Sequence, residues 1–183
     1  LASTTGRDVD SLTSPALAFR KLLPSRSDAM AAAVVPAKLR ALATAVRSTP
    51  PSFEWLGAST ERLNVVFPGS RTEAADRLVP VALEALLAAA RDLPIAQVTG
   101  LAEELHQAFP RSREQTSARL LPIIADRLLG LARRGAVDEL VGAVELTRRV
   151  FPSRVGSVDD KIVTVLVDVM VSRAGSESIE SLG

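Results

Sequence analysis

The side chains best placed to do chemistry in this chain are arginines. Arg26, Arg71, Arg111, Arg113 and Arg154 each stand shortly after a Leu-Pro or Phe-Pro step. A guanidinium presents its donors in a fixed fork that matches carboxylate and phosphate oxygens, so a row of them could hold an acidic peptide or a phosphate backbone. The plainer alternative is that each solvates its own corner and pairs locally, as Arg71 would with Asp76 or Arg113 with Glu114. Exposed pairs of that kind contribute little. Trp55, the one tryptophan, also has two readings. It could anchor a partner, as interface hot-spot tryptophans do, or it could fill, with Phe53, a gap widened by a local insertion.

Catalytic material is scarce. The single histidine, His106 in EELHQAF, is expected on a solvated helix face, and a general base needs an orienting partner and a nucleophile beside it. Cysteine is absent. Asp159-Asp160 is expected in the first turn of a helix, where negative charge is favoured, rather than on a metal. Neither GxGxxG nor GxxxxGK[ST] occurs. The sequence therefore predicts no enzyme, no cofactor and no metal site.

The elements that must position the arginines emerge from self-similarity. Phe67-Pro68, Phe109-Pro110 and Phe151-Pro152 recur every 42 residues, and Leu23-Pro24 lies 44 before the first. Thirteen residues beyond each of the first three of these four steps stand Pro36, Pro80 and Pro122, each behind two apolar residues; the last unit has Thr164 instead. Ser25, Ser70, Ser112 and Ser157 are each followed three residues later by Asp28, Glu73, Gln115 or Asp160, the pattern of capping boxes or near relatives. Proline disfavours helical geometry in the residue before it. Phe-Pro-x-Ser thus predicts the corner between two helices.

Within the unit from Phe67, the pattern predicts a helix from about Arg71 to Arg91, kinked or split at Pro80. Asp92-Leu93-Pro94 then breaks the chain before a second helix ending near Ala108, with Val98, Leu101, Leu105 and Ala108 on one face. The next unit places Leu120, Ile124, Leu128 and Leu131 on its first helix, Gly135 at the break, and Leu140, Val144, Thr147 and Phe151 on its second. Units are predicted at 23–66, 67–108 and 109–150, with partial units at 8–22 and 151–173 and a frayed tail at 174–183. Ile162, Val163, Val165, Val167 and Val169 read locally as a strand, but register with the repeat predicts a first helix at 157–172.

Composition agrees with a helical chain: 183 residues, 47% hydrophobic and 3% aromatic, dominated by good helix formers. The formal charge is +1, which gives no global attraction to nucleic acid or an anionic membrane. The apolar runs at 29–37 and 78–90 fall short of the roughly 20 residues that span a bilayer. No membrane insertion is expected. The missing cysteine leaves the compartment open.

A helix pair of this size must bury its faces against neighbours, so the chain is expected to be all-α, one repeat domain built as a right-handed α-solenoid of stacked pairs. The steps LVPVALEALL and LLPIIADRLL resemble armadillo and HEAT repeats. The 42-residue spacing and the aromatic-Pro step are also similar to the tandem repeats of the SKWP (XopAD-like) type III effectors. Where that family has Ser-Lys before its Trp-Pro, this chain has Val65-Val66, Gln107-Ala108 and Arg149-Val150. That resemblance implies an internal piece of a longer repeat protein, injected by a plant-pathogenic bacterium into a host cell and acting inside it. The expected function is a non-enzymatic scaffold for a protein partner. The alternative is a nucleic-acid-binding solenoid using the arginine ridge, against which the charge balance argues. Association through exposed repeat ends is a further expectation.

Overall fold

A computed structural model describes residues 15, 17, 18, 21, 22, 26–48, 52–152, 156, 159, 160, 162–169 and 171. Among the described residues there is no strand. The helices are α1 (Ser27–Ser48), α2 (Glu54–Val66), α3 (Ser70–Asp92), α4 (Ile95–Ala108), a 3-10 turn (Pro110–Ser112), α5 (Arg113–Arg134) and α6 (Val137–Val150). Described residues at 162–169 are helical too, so register with the repeat prevails over the local preference of a valine-rich run. The described part of the 8–22 segment is likewise helical at 15, 17, 18, 21 and 22.

α1, α3 and α5 each continue through an internal proline, Pro36, Pro80 and Pro122. Of the kink or split expected at Pro80, the split does not occur. Each proline lacks the N–H that would bond the carbonyl four residues back, and those carbonyls belong to Ala32, Asp76 and Ala118, all exposed. Water can take the place of the missing donor, which removes much of the cost of proline in a helix.

The breaks follow glycine and proline chemistry. Gly135 takes φ +67 after α5. Its N–H donates to Ala132 O and that of Ala136 to Leu131 O, the paired bonds of a Schellman cap. At the first described corner, Phe67-Pro68-Gly69-Ser70 closes with Ser70 N–H donating to Phe67 O at 3.1 Å, with Gly69 at φ +93. Proline second and a positive-φ glycine third is a type II turn. The next corner makes the same bond, Ser112 N–H to Phe109 O at 2.9 Å, through a 3-10 turn without glycine.

The serines do not cap as expected. Ser112 Oγ donates back to Phe109 O at 2.7 Å, and Ser70 Oγ is buried with no hydrogen-bond partner. A capping residue must sit outside the helix with its hydroxyl over the first amides. Ser70 is already the first residue of α3, and Ser112 already lies in the 3-10 turn. Ser25 and Ser157 lie outside the described residues.

The chain forms two compact units, one from Leu1–Ala89 with Leu101–Arg113, the other from Ala90–Gly100 with Glu114–Gly183. The first has Leu39, Phe53, Leu56, Leu78, Leu83, Leu86 and Leu105 fully buried; the second has Val98, Leu120, Ile124, Leu128 and Phe151. By length and composition α1 is apolar enough to cross a membrane, with mean hydropathy 1.4 over its best window, which departs from the expectation drawn from shorter runs. Its apolarity is largely alanine, however, and Val35, Leu39, Leu42 and Val46 are buried along one face. That is the stripe of a helix packed on a core.

Candidate interface groove and the corner arginines

Three phenylalanines 42 residues apart have like burial and backbone geometry. Phe67, Phe109 and Phe151 are 5%, 3% and 1% exposed. Their N–H groups donate to the carbonyls four residues back, of Leu63, Leu105 and Thr147. Each has left helical geometry, at φ −124, −136 and −127. The ring anchors the corner while the following proline turns the chain away. The arginines are therefore delivered to the start of the next helix.

Arg26 immediately precedes α1, Arg71 is the second residue of α3, Arg111 is in the 3-10 turn, and Arg113 opens α5; all four are exposed. Arg154 lies outside the described residues. Arg71 pairs with Glu61 at 3.6 Å, across to α2, and not with Asp76. Both side chains are more than half exposed, so the pair contributes little to stability. A cation at a helix N-terminus also opposes the macrodipole. The macrodipole therefore gives no reason for arginine at these four positions.

A groove of about 300 Å³ opens in the first unit, lined by Phe53, Glu54, Gly57, Glu61, Arg71 and Glu104 among others. Its floor exists because α2 and α4 approach closely: a Cβ on Gly57 would lie 3.1 Å from Ala108 Cβ. At one end, Glu104 Oε2 accepts the N–H of Phe53 at 2.7 Å. Phe53 begins α2 without a side-chain cap of its own, so a carboxylate from α4 supplies the cap and the favourable negative charge. Three carboxylates and one guanidinium give the groove an acidic balance. It suits hydrogen bonding to a polypeptide better than to phosphate.

Trp55 is half-buried on α2, whereas Phe53 beside it is completely buried. Phe53 fills the interior, and Trp55 retains accessible surface. Pro50 and Pro51 lie outside the described residues.

His106 departs most from expectation, being 4% exposed rather than solvated. The buried face of α4 is Ile95, Val98, Thr99, Ala102, Leu105 and His106, one position off the stripe through Leu101 and Ala108, which are half-buried. Burial lowers the imidazole pKa to about 4, and the positive charge of Arg113 lowers it in the same direction. A neutral buried imidazole is a packing element. Thr99 shares the face and satisfies its hydroxyl on Ile95 O and Ala96 O.

In the second unit, Arg127 donates from Nη1 to Ala90 O at 2.9 Å and also to Leu93 O. It closes the C-terminus of α3, where a cation is favoured. Arg148 grips Asp159 Oδ2 through Nε at 3.2 Å and Nη2 at 2.8 Å, which gives this aspartate a structural partner. Sequence reasoning missed these roles of Glu104 and Arg127 because their partners lie 51 and between 34 and 37 residues away.

No protein-family model, curated protein or solved structure matches the chain.

Proposed function

We propose that this chain is a non-enzymatic protein-interaction scaffold, a segment of stacked armadillo/HEAT-like helix pairs in the manner of an α-solenoid, with a protein partner bound on its surface. The observation that carries the reading is the corner: Phe67, Phe109 and Phe151 are buried in the same backbone geometry at one sequence spacing. A unit that recurs in this way builds an extended surface out of like parts, and such surfaces are used for binding. The resemblance to SKWP-type repeats adds a host-cell protein as the partner class, reached by type III secretion.

Within that surface, the groove between α2 and α4 matches a peptide segment bearing a basic group, since Glu54, Glu61 and Glu104 outnumber Arg71. Selection of a displayed peptide library on the purified chain tests the reading. Peptides that lose binding to Glu54→Lys with Glu61→Lys, and keep it with Arg111→Glu and Arg113→Glu, support it. A library that yields no binder to the folded chain removes it.

The corner arginines favour a second reading, a nucleic-acid-binding solenoid, because four exposed guanidiniums stand where the macrodipole does not call for them. A salt titration against generic DNA and RNA separates the two. Phosphate contacts release counterions, so this second reading requires measurable affinity at low salt that falls steeply as salt rises.

A further inference from the structure

The groove in the first unit already holds a guanidinium. Arg71 Nη1 lies 3.6 Å from Glu61 Oε2, with the two side chains 57% and 56% exposed. An N–H···O hydrogen bond is shorter, about 2.7–3.2 Å, so this contact is one nitrogen near one oxygen and nothing firmer. The same chain shows a firm pairing elsewhere, where Arg148 meets Asp159 Oδ2 through Nε at 3.2 Å and Nη2 at 2.8 Å. Arg71 is loosely seated.

Its backbone, by contrast, is fixed. Arg71 follows directly on the turn in which Ser70 N–H donates to Phe67 O, with Phe67 buried and Gly69 at φ +93. The corner therefore delivers the side chain to one end of the groove while its exposed head group stays able to swing. A cation in the first turn of α3 opposes the macrodipole, so the dipole of the helix it starts does not account for it.

The rest of the lining shows what the groove is short of. Glu54, Gly57, Ala58 and Glu61 follow one another at helical spacing on a single face of α2. Gly57 and Ala58 are too small to fill the space between the two carboxylates, which are set about 10 Å apart along the helix axis. Glu104 adds a third carboxylate from α4 at the Glu54 end, oriented by the N–H of Phe53 at 2.7 Å. The lining supplies one cation for three anions.

We propose that Arg71 is an internal competitor for this site: it occupies Glu61 in the free chain, and an arginine of the bound peptide displaces it. The inference rests on the peptide-binding reading of the groove, and it names the ligand group that the reading left general. A peptide with two arginines can set one on Glu61 and the other at the Glu54 and Glu104 end. Each guanidinium can then make the forked bonds that the Arg71 contact lacks. An exposed pair of the Arg71–Glu61 kind favours its closed form by a factor of about two to five. A site blocked in that proportion has its apparent Kd weakened about three- to sixfold.

The probe is an acetylated, amidated peptide of alanines carrying two arginines three residues apart, a span of about 10 Å when extended. It is titrated by NMR into the isotope-labelled full chain and followed on the amide signals of Gly57 and Ala58, and the same spectra report that each variant is folded. Arg71→Gln should tighten the apparent Kd about three- to sixfold. Arg111→Gln removes the same charge outside the groove's lining and should leave the Kd nearly unchanged. In a Glu61→Gln background the gain from Arg71→Gln should vanish, because Arg71 then has no carboxylate at that end to occupy. Binding to the wild type that Arg71→Gln leaves equal or weakens overturns the proposal, while the groove reading stands. A gain that persists undiminished beside Glu61→Gln, or that Arg111→Gln reproduces, overturns it too, since either means net charge and not occupancy. If neither the wild type nor Arg71→Gln shifts at Gly57 and Ala58, the groove reading falls and this inference falls with it.

Discussion

At the scale of single residues, His106 has the clearest consequence for stability. Its pKa falls from 6.5 to about 4 on folding because burial penalises the imidazolium and Arg113 repels it. The unfolded chain takes up its proton near 6.5, and the folded chain only near 4. Between those values the unfolded state binds more protons, so the neutral-histidine packing is fully favourable above pH 6.5 and loses ground as pH falls. The loss by pH 4 is on the order of 3 kcal/mol. Urea denaturation at pH 7 and pH 4.5 should show it, and His106→Leu should remove most of the difference while leaving the carboxylate contribution. Arg113→Ala should raise the imidazole pKa in an NMR titration, though it should stay below 6.5 because burial is the larger cause. Glu104 offers a second test at this scale. Glu104→Ala strands the buried N–H of Phe53, at a cost of about 1–2 kcal/mol, whereas Glu104→Gln keeps an acceptor and should cost less, as read by thermal unfolding. Neither residue's role could be read locally: EELHQAF looks polar, and His106 is buried because the α4 stripe runs through Thr99 rather than Leu101.

At the scale of elements, much was legible, for reasons that particular residues make plain. Gly135 breaks α5 from α6 because its φ of +67 suits glycine, and it does so where the sequence pattern put the break. Gly135→Ala should therefore cost about 1 kcal/mol in thermal unfolding, without loss of helical content. Phe67 and Phe109 close their helices because an aromatic that fills a corner and a proline that cannot continue it act together. At Ser70 and Ser112 the expected capping boxes do not form, since spacing alone does not say whether a serine stands outside the helix or already within it. Ser70 and Ser112 are one step too far inside. The valine run at 162–169 shows the opposite case, in which a local strand preference yields to the register of the larger pattern. The helix expected to kink or split at Pro80 is not split there, and α1 and α5 likewise continue through Pro36 and Pro122; the residues four back from each proline are exposed, where water can serve a freed carbonyl.

At the scale of the whole molecule, the stacked-pair architecture proposed for this chain makes different demands on stability than a single globular core does. In a chain of repeated units, each pair is held mainly by its neighbours, and stability is approximately a sum of local terms. Damage should then stay local. Leu128 is fully buried in the second unit, and replacing a buried leucine by alanine costs roughly 2–5 kcal/mol. Under the scaffold reading, Leu128→Ala should lower amide hydrogen-exchange protection throughout α5 and α6 by a large factor. α1 and α2, whose buried residues belong to the first unit, should keep nearly native protection, because opening in such a chain proceeds by parts. A uniform drop across α1 to α6 would mean one cooperative core, and the stacked-pair architecture proposed for this chain would then be wrong.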